Sequence, residues 1–265
     1  MNPILAEFLS YRDKHGLIQP GPLGSLNGIL YTGESMVVMK DNDVLTPQVE
    51  DELFKVIKSC ELYPGLMTRT PTFAGGQQAH DDYVGFLAAC YQCKRYDLAE
   101  IVLQYGQRTT KFGFIPFKFV FNTVIPGTML HPTTEAQNAK RPWYERLFTR
   151  YFAEPGFRIN FSAWLGRLPQ FVAHVYWASN KKPPLLHRIA QAIVIWNNSK
   201  LKDGGHPDTW MLTWLMVRTM DNRCWMGRWA AKKFYANMHR IFGPEGLKKL
   251  FYIGGKHPIN KYWVK

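Results

Sequence analysis

The sequence predicts an all-α protein of about ten helices arranged as consecutive hairpins. Three observations carry that prediction. Apolar residues recur at three- and four-residue steps through most of the chain, with little two-residue alternation to compete. Helix start and stop signals bracket the periodic runs. Apolar residues make up 46% and aromatics 15% of 265 residues, which fills a core at this length and excludes a disordered chain. A single helical domain over residues 1–265 is expected.

Residues 3 to 15 read as an amphipathic helix. Ser25 caps a run through Leu26, Ile29, Leu30, Met36, Val37 and Met39, and Gly28 and Gly33 inside that run suggest close packing on a neighbour. Thr46-Pro47 opens the next helix. Its first turns carry Glu50, Asp51 and Glu52 and its end carries Lys55 and Lys58, the charge order the helix dipole favours. Pro64-Gly65 marks a tight turn after it. Residues 81 to 93 form another helix, and Asp97 caps a further one that ends at Gly106. The Phe-rich stretch 111–122 alternates from Phe117 to Phe121 and reads as a short strand or extended segment, either a buried connector or a membrane-touching loop. Thr123 to Lys140 reads as a polar linker. Later helices fall at about 141–153, 162–179 with a bend at Pro169, 184–198, 208–219, 226–241 and 244–252.

The formal net charge of +13 makes polyanions plausible partners: nucleic acid, an acidic lipid surface or an acidic polysaccharide. Charge alone does not choose among them, and a merely basic surface is the plain alternative. Basic residues are spread along the chain, so a charged arm is not the design. The 4 cysteines are too few for a disulfide scaffold and read as reduced and buried. Cys90-x-x-Cys93 resembles half a zinc site, but no second pair follows at finger spacing, so no metal and no cofactor are expected. The N-terminus shows no signal-peptide pattern, and no uncharged apolar run reaches the roughly eighteen residues a membrane span needs. Phosphate-loop, dinucleotide, zinc-helix and serine-elbow motifs are missing as well, which leaves those enzyme classes without support.

Chemistry concentrates where Gly75-Gly76-Gln77-Gln78 runs into His80, Asp81, Asp82 and Tyr83. Carboxylates in a first helical turn are favoured by the dipole and by free N–H groups, so the two aspartates can simply start a helix. One cap is enough, however, and neighbouring residues point about 100° apart, which leaves the other carboxylate able to face a ligand. His80 could orient it, and Tyr83 adds a phenol. Glu34 lies among small and apolar residues, and is either on an exposed stripe or buried with its proton held by desolvation. Arg69 emerges after the Pro64-Gly65 turn and could clamp a substrate carboxylate or phosphate, or stand solvated on a loop. Arg167, Gln170, His174 and Trp177 fall on one helical face, which suits a sugar-binding stripe with a stacking indole and equally a solvent face.

The segments Asn27-Gly28-Ile29-Leu30-Tyr31-Thr32-Gly33-Glu34, Cys60-Glu61-Leu62-Tyr63-Pro64-Gly65-Leu66 and His80-Asp81-Asp82-Tyr83-Val84-Gly85 resemble a group of bacteriophage proteins. The order of segments over residues 24 to 180 is similar to the six-hairpin (α/α) toroid glycosidases and lyases. A full toroid has about twelve helices, so about ten imply an incomplete ring. The resemblance implies a central cleft lined by helix starts, where Glu34, Asp81 and Asp82 meet. It implies hydrolysis or elimination of a bacterial surface glycan, with Asp82 or Asp81 as general acid or base, Glu34 its partner and His80 an orienter. Arg69, Tyr83, Arg167, Gln170, His174 and Trp177 would bind the substrate. The expected setting is a soluble protein made in the host cytoplasm. The alternative is a non-catalytic virion or assembly component, whose basic surface binds DNA or neighbouring phage structural proteins and whose aspartates only cap.

Overall fold

The computed structural model describes residues 2–19, 27–71, 80–108, 130–132, 135–140, 142–143, 146–147, 157–159, 171–198, 208–220, 223–242 and 257–262. It is mostly helical, as the periodicity predicts. Asn2 caps α1 (Pro3–Leu9) by accepting from the Ile4 N–H at 2.9 Å, with Pro3 at the first helical position. The helix stops well short of residue 15. Asp13 accepts from the N–H groups of His15 and Leu17, and Gly16 takes φ +86°, so a tight turn replaces the predicted continuation.

Two helix types alternate after that. Helix α2 (Gly28–Asp41) is buried on every side from Gly28 to Met39, and α3 (Pro47–Lys58) buries only Leu53, Phe54 and Ile57. Thr46 caps α3 through its hydroxyl, as read from the sequence. Helix α4 (His80–Gln92) is again buried along most of its length, from Asp82 to Cys90, and α5 (Tyr96–Arg108) packs through one face. Helical residues 171–178 (α7) are buried apart from Tyr176, and α8 (Leu185–Asn198) is half exposed. The pattern recurs with the buried stretch of α9 (Asp208–Met220) and the amphipathic α10 (Trp225–Phe242). A short α6 (Glu135–Ala139) and a final α11 (Pro258–Tyr262) are also present, and residues 143 and 146–147, within the predicted 141–153 helix, are helical as well.

Three of the buried helices end in the same way. Asp43, Lys94 and Asn180 take φ near +58° just past α2, α4 and α7. The following N–H groups, of Val44, Arg95 and Lys181, bond back to Met39, Cys90 and Tyr176, each five residues earlier. This is the left-handed cap that satisfies the last carbonyls of a helix and reverses the chain. Glycine usually occupies that position; none does here, which is why the shared turn leaves no mark in the sequence.

Helices α2 and α4 form the main internal contact, and α4 also packs on α9. The pairs Leu30–Asp82, Gly33–Gly85 and Asp41–Gln92 step along both helices in the same sense, so the two run parallel. Gly33 and Gly85 permit the approach. A Cβ on Gly33 would lie 2.3 Å from the carbonyl carbon and oxygen of Gly85, and one on Gly85 would lie 2.6 Å from the Leu30 carbonyl oxygen. Gly28 packs against Leu17 and Gln19, so both glycines read as contact points in α2 have neighbours pressed against them. At the far end of the pair Asp41 accepts from both Gln92 and Arg218 of α9.

Several expectations need correction. Asp97 lies inside the first turn of α5 and pairs with Arg95, and does not precede the helix as a cap. Between α3 and α4 the chain forms an antiparallel pair, β1 (Glu61–Tyr63) and β2 (Leu66–Met67), turned at Gly65 with φ +89°. The predicted 123–140 linker holds β3 (Leu130–Pro132), paired with β4 (Phe157–Ile159), and α6. Helix α11 was not predicted; Pro258 opens it, and His257 Nδ1 accepts from the Ile259 N–H. His257 also meets the Gln19 carbonyl, while Tyr262 and Lys261 donate to Glu7 of α1, so the two ends of the chain are tied together. Ser25, the 111–122 segment, Pro169 and the predicted 244–252 helix lie outside the described residues. One cluster of buried side chains extends from Leu5 to Ile259.

Candidate functional site

The parallel pairing of α2 and α4 brings their two N-termini together. A helix start carries unpaired N–H groups and a partial positive charge, so a carboxylate belongs there. Asn27, before α2, makes no capping bond with its side chain. The cap comes from the other helix: Asp82 Oδ1, in the first turn of α4, accepts from the Leu30 N–H at 3.2 Å. Arg69 lies alongside, donating from Nη1 to Asn27 Oδ1 at 3.3 Å, and its charge acts on Asp82.

Tyr83 fixes the backbone that leads into Arg69. Its hydroxyl accepts from the Met67 N–H at 2.8 Å and donates to the Gly65 carbonyl at 3.1 Å, pinning the β1–β2 turn to α4. Thr68 bonds back to the Cys60 carbonyl at 2.9 Å, so the strand leading into Arg69 is held on both sides. Burial raises the Tyr83 phenol far above its ordinary range, which makes it a fixed strut and not a proton carrier.

Asp82 itself is 2% exposed. Burial pushes its carboxyl up from 3.8 to about 8, against the opposing pull of the Leu30 N–H and Arg69, with Asp81 adding to the rise. Oδ2 makes no hydrogen bond among the described residues. The nearby Cys60 thiol is pushed up to about 12, first by burial and then by Asp82, so it stays protonated and inert. Glu34 is fully buried. It lies one turn beyond Leu30, on the stripe Asn27, Leu30, Glu34, Asp41 that runs along the α4 side of α2. The exposed reading of Glu34 is thereby set aside.

The arrangement therefore gathers Asp82, Arg69 and Tyr83 around the start of α2, with Arg69 bonded to Asn27 and acting on Asp82 through its charge, and places Glu34 on the adjoining helix. Asp81 is half-buried beside them. His80 begins α4, and its side chain lies outside the described residues, as do Arg167 and Gln170. His174 and Trp177 lie on α7 and are buried, so they form neither a sugar stripe nor a solvent face. The ring nitrogens of His174 lie 2.9 Å from Thr219 Oγ1 and 3.3 Å from the Val84 carbonyl, and Trp177 Nε1 donates to Gln191 Oε1 at 3.0 Å. Both tie α7 to its neighbours, because a helix buried nearly all round turns its polar spacing inward. Asn27 was not singled out as a site residue; an Asn-Gly pair at a helix start is the signal that would have marked it.

A carboxyl that holds its proton at neutral pH has the chemistry of a general acid, and here Oδ2 is buried, so donation requires a partner brought within hydrogen-bond reach of it. The neighbouring guanidinium suits an anionic or hydroxyl-rich group. Cys90 and Cys93 are buried thiols raised by desolvation, and among the described residues no group of three or more His, Cys, Asp or Glu could hold a metal ion. No protein-family model matches the chain, and no curated protein or solved structure matches it.

Proposed function

We propose that the chain is a helical enzyme cleaving a bacterial surface glycan, with Asp82 as the general acid. The observation that carries this reading is the Asp82 carboxyl, buried, held protonated to about pH 8 and with Oδ2 unengaged, where two helices begin. Such a group protonates a glycosidic oxygen or a departing alkoxide, the step both hydrolysis and elimination require. Arg69 binds an acidic or hydroxyl group of the sugar, Tyr83 positions Arg69, and Glu34 serves as the second carboxylate. The alternation of buried and amphipathic helices favours a ring of hairpins whose inner helix starts face one hollow, as the phage-type toroid resemblance implies.

The test is turnover of bacterial capsular and cell-wall polysaccharides, scored by new reducing ends for hydrolysis and by unsaturated-sugar absorbance for elimination. Asp82→Asn should lower the rate by about 10²-fold or more while the chain stays folded. Unchanged turnover by this variant would remove Asp82 from the chemistry.

One bond favours a second reading, a non-catalytic virion or assembly component. The Asp82–Leu30 contact alone is a sufficient structural reason for a buried aspartate, and the +13 charge suits DNA or an acidic neighbouring subunit. Salt-sensitive DNA binding together with no turnover on any glycan would favour that reading.

A further inference from the structure

A different face of the molecule carries an arrangement that the Asp82 site does not use. Helix α8 turns Leu186 outward at 77% exposure, with Leu185, Ile189 and Ile193 exposed beside it. Trp196 follows at helical spacing and stands against Trp229 of α10, ring centroids 6.1 Å apart, carrying the apolar stripe from one helix to the next. Trp229 and Trp225 are exposed on α10, with Trp225 at 69%. An apolar surface with two open indoles and a row of aliphatic side chains is costly to leave in water.

The charges on the two helices are all of one sign. Neither α8 nor α10 contains an aspartate or glutamate. Arg228, Lys232, Lys233 and Arg240 are exposed along α10, and Lys182 stands just before α8. Of the cations nearby, Lys181 is engaged by Glu100 of α5. The occupant of this face must therefore be apolar in depth and anionic at its surface.

Nucleic acid meets only half of that requirement. It could stack on the indoles and pair with the cations, but it offers nothing to bury Leu186, Ile189 and Ile193. A second copy of the chain would bring an equally cationic face and be repelled. An anionic bilayer meets both conditions: aliphatic side chains enter the acyl boundary, indoles sit at headgroup level, and lysines and arginines engage acidic headgroups. Among the described residues no helix is long and apolar enough to span a membrane.

We infer that the α8–α10 face docks on an anionic lipid surface, in the plane of the interface. The inference is independent of the glycan reading. It is tested by flotation of the full chain with vesicles of equal parts phosphatidylglycerol and phosphatidylcholine, against vesicles of phosphatidylcholine alone, at low and high salt. The chain should float with the anionic vesicles, lose that association in high salt, and ignore the neutral ones. The double variants Leu186→Asp/Ile193→Asp and Lys232→Glu/Lys233→Glu should each weaken partitioning by at least about tenfold. All four positions are exposed, so thermal unfolding should be unchanged. Absence of flotation with anionic vesicles overturns the inference, as does flotation that both double variants leave intact. Binding of single-stranded DNA through these residues by a chain that ignores vesicles, or salt-resistant self-association through them, overturns it in favour of another occupant.

Discussion

Replacing Asp82 with asparagine separates the pH dependence of this one group from everything else in the chain. In the folded protein the carboxyl titrates at about 8, against 3.8 for an exposed aspartate. Between those values the folded chain carries one proton more than the unfolded chain, so stability falls as pH rises. The contribution is complete below 3.8 and is lost as pH passes 8. At about 1.4 kcal/mol per pH unit, the full interval amounts to about 6 kcal/mol, and the stretch from pH 5 to pH 8 to about 4 kcal/mol. Asparagine keeps the size of the side chain and a carbonyl that can accept from the Leu30 N–H, but it cannot ionise. Urea unfolding of both proteins across pH 5 to 9 reads the difference directly. At pH 5 the variant should match the parent within about 1 kcal/mol. By pH 8 the variant should be more stable by several kcal/mol. Parallel curves across the whole range would refute the reasoning, because Asp82 would then have the same affinity for its proton in both states.

Other consequences follow from single contacts. Gly85→Ala drives a methyl into the backbone of α2, which cannot yield as a side chain would, and should cost about 3 kcal/mol or more in urea unfolding. Lys94→Gly relieves a left-handed residue and should stabilise the chain by about 1 kcal/mol, whereas Lys94→Ala should not. Tyr83→Phe leaves the Met67 N–H and Gly65 carbonyl without their partner, costing about 1 to 3 kcal/mol, and should raise KM more than it lowers kcat because Arg69 is displaced. Burial lowers His257 to about 4 from 6.5, so its neutral form contributes stability that is fully present above 6.5 and lost as pH falls through 4. A His257→Gln variant should flatten that acidic limb in a pH series of thermal unfolding midpoints.

How much of this was legible in the sequence depended on the scale of the signal. Helix α3 was read to within a residue because Thr46-Pro47 and its graded charges are local features. Helices α2 and α4 were found, and the glycines of α2 announced a close neighbour, but nothing local says that Gly33 meets Gly85 or that the two helices run parallel. For the same reason the sequence left open which of the adjacent aspartates is free of the cap. The answer is that Asp82 caps a different helix, 52 residues away in the chain. His174 and Trp177 were misplaced because three- and four-residue spacing marks a shared face without saying whether that face looks inward. Helix α11, five residues long, is too short for periodicity to register.

The proposed chemistry depends on the protonation of one carboxyl, Asp82, at the joined starts of α2 and α4. Carbon-13 NMR of aspartate-labelled protein, followed through a pH titration and assigned by loss of the signal in Asp82→Asn, measures it without reference to any substrate. The Asp82 resonance should hold its protonated position through neutrality and shift near pH 8. A resonance that shifts near 3.8, with the exposed aspartates, would contradict it.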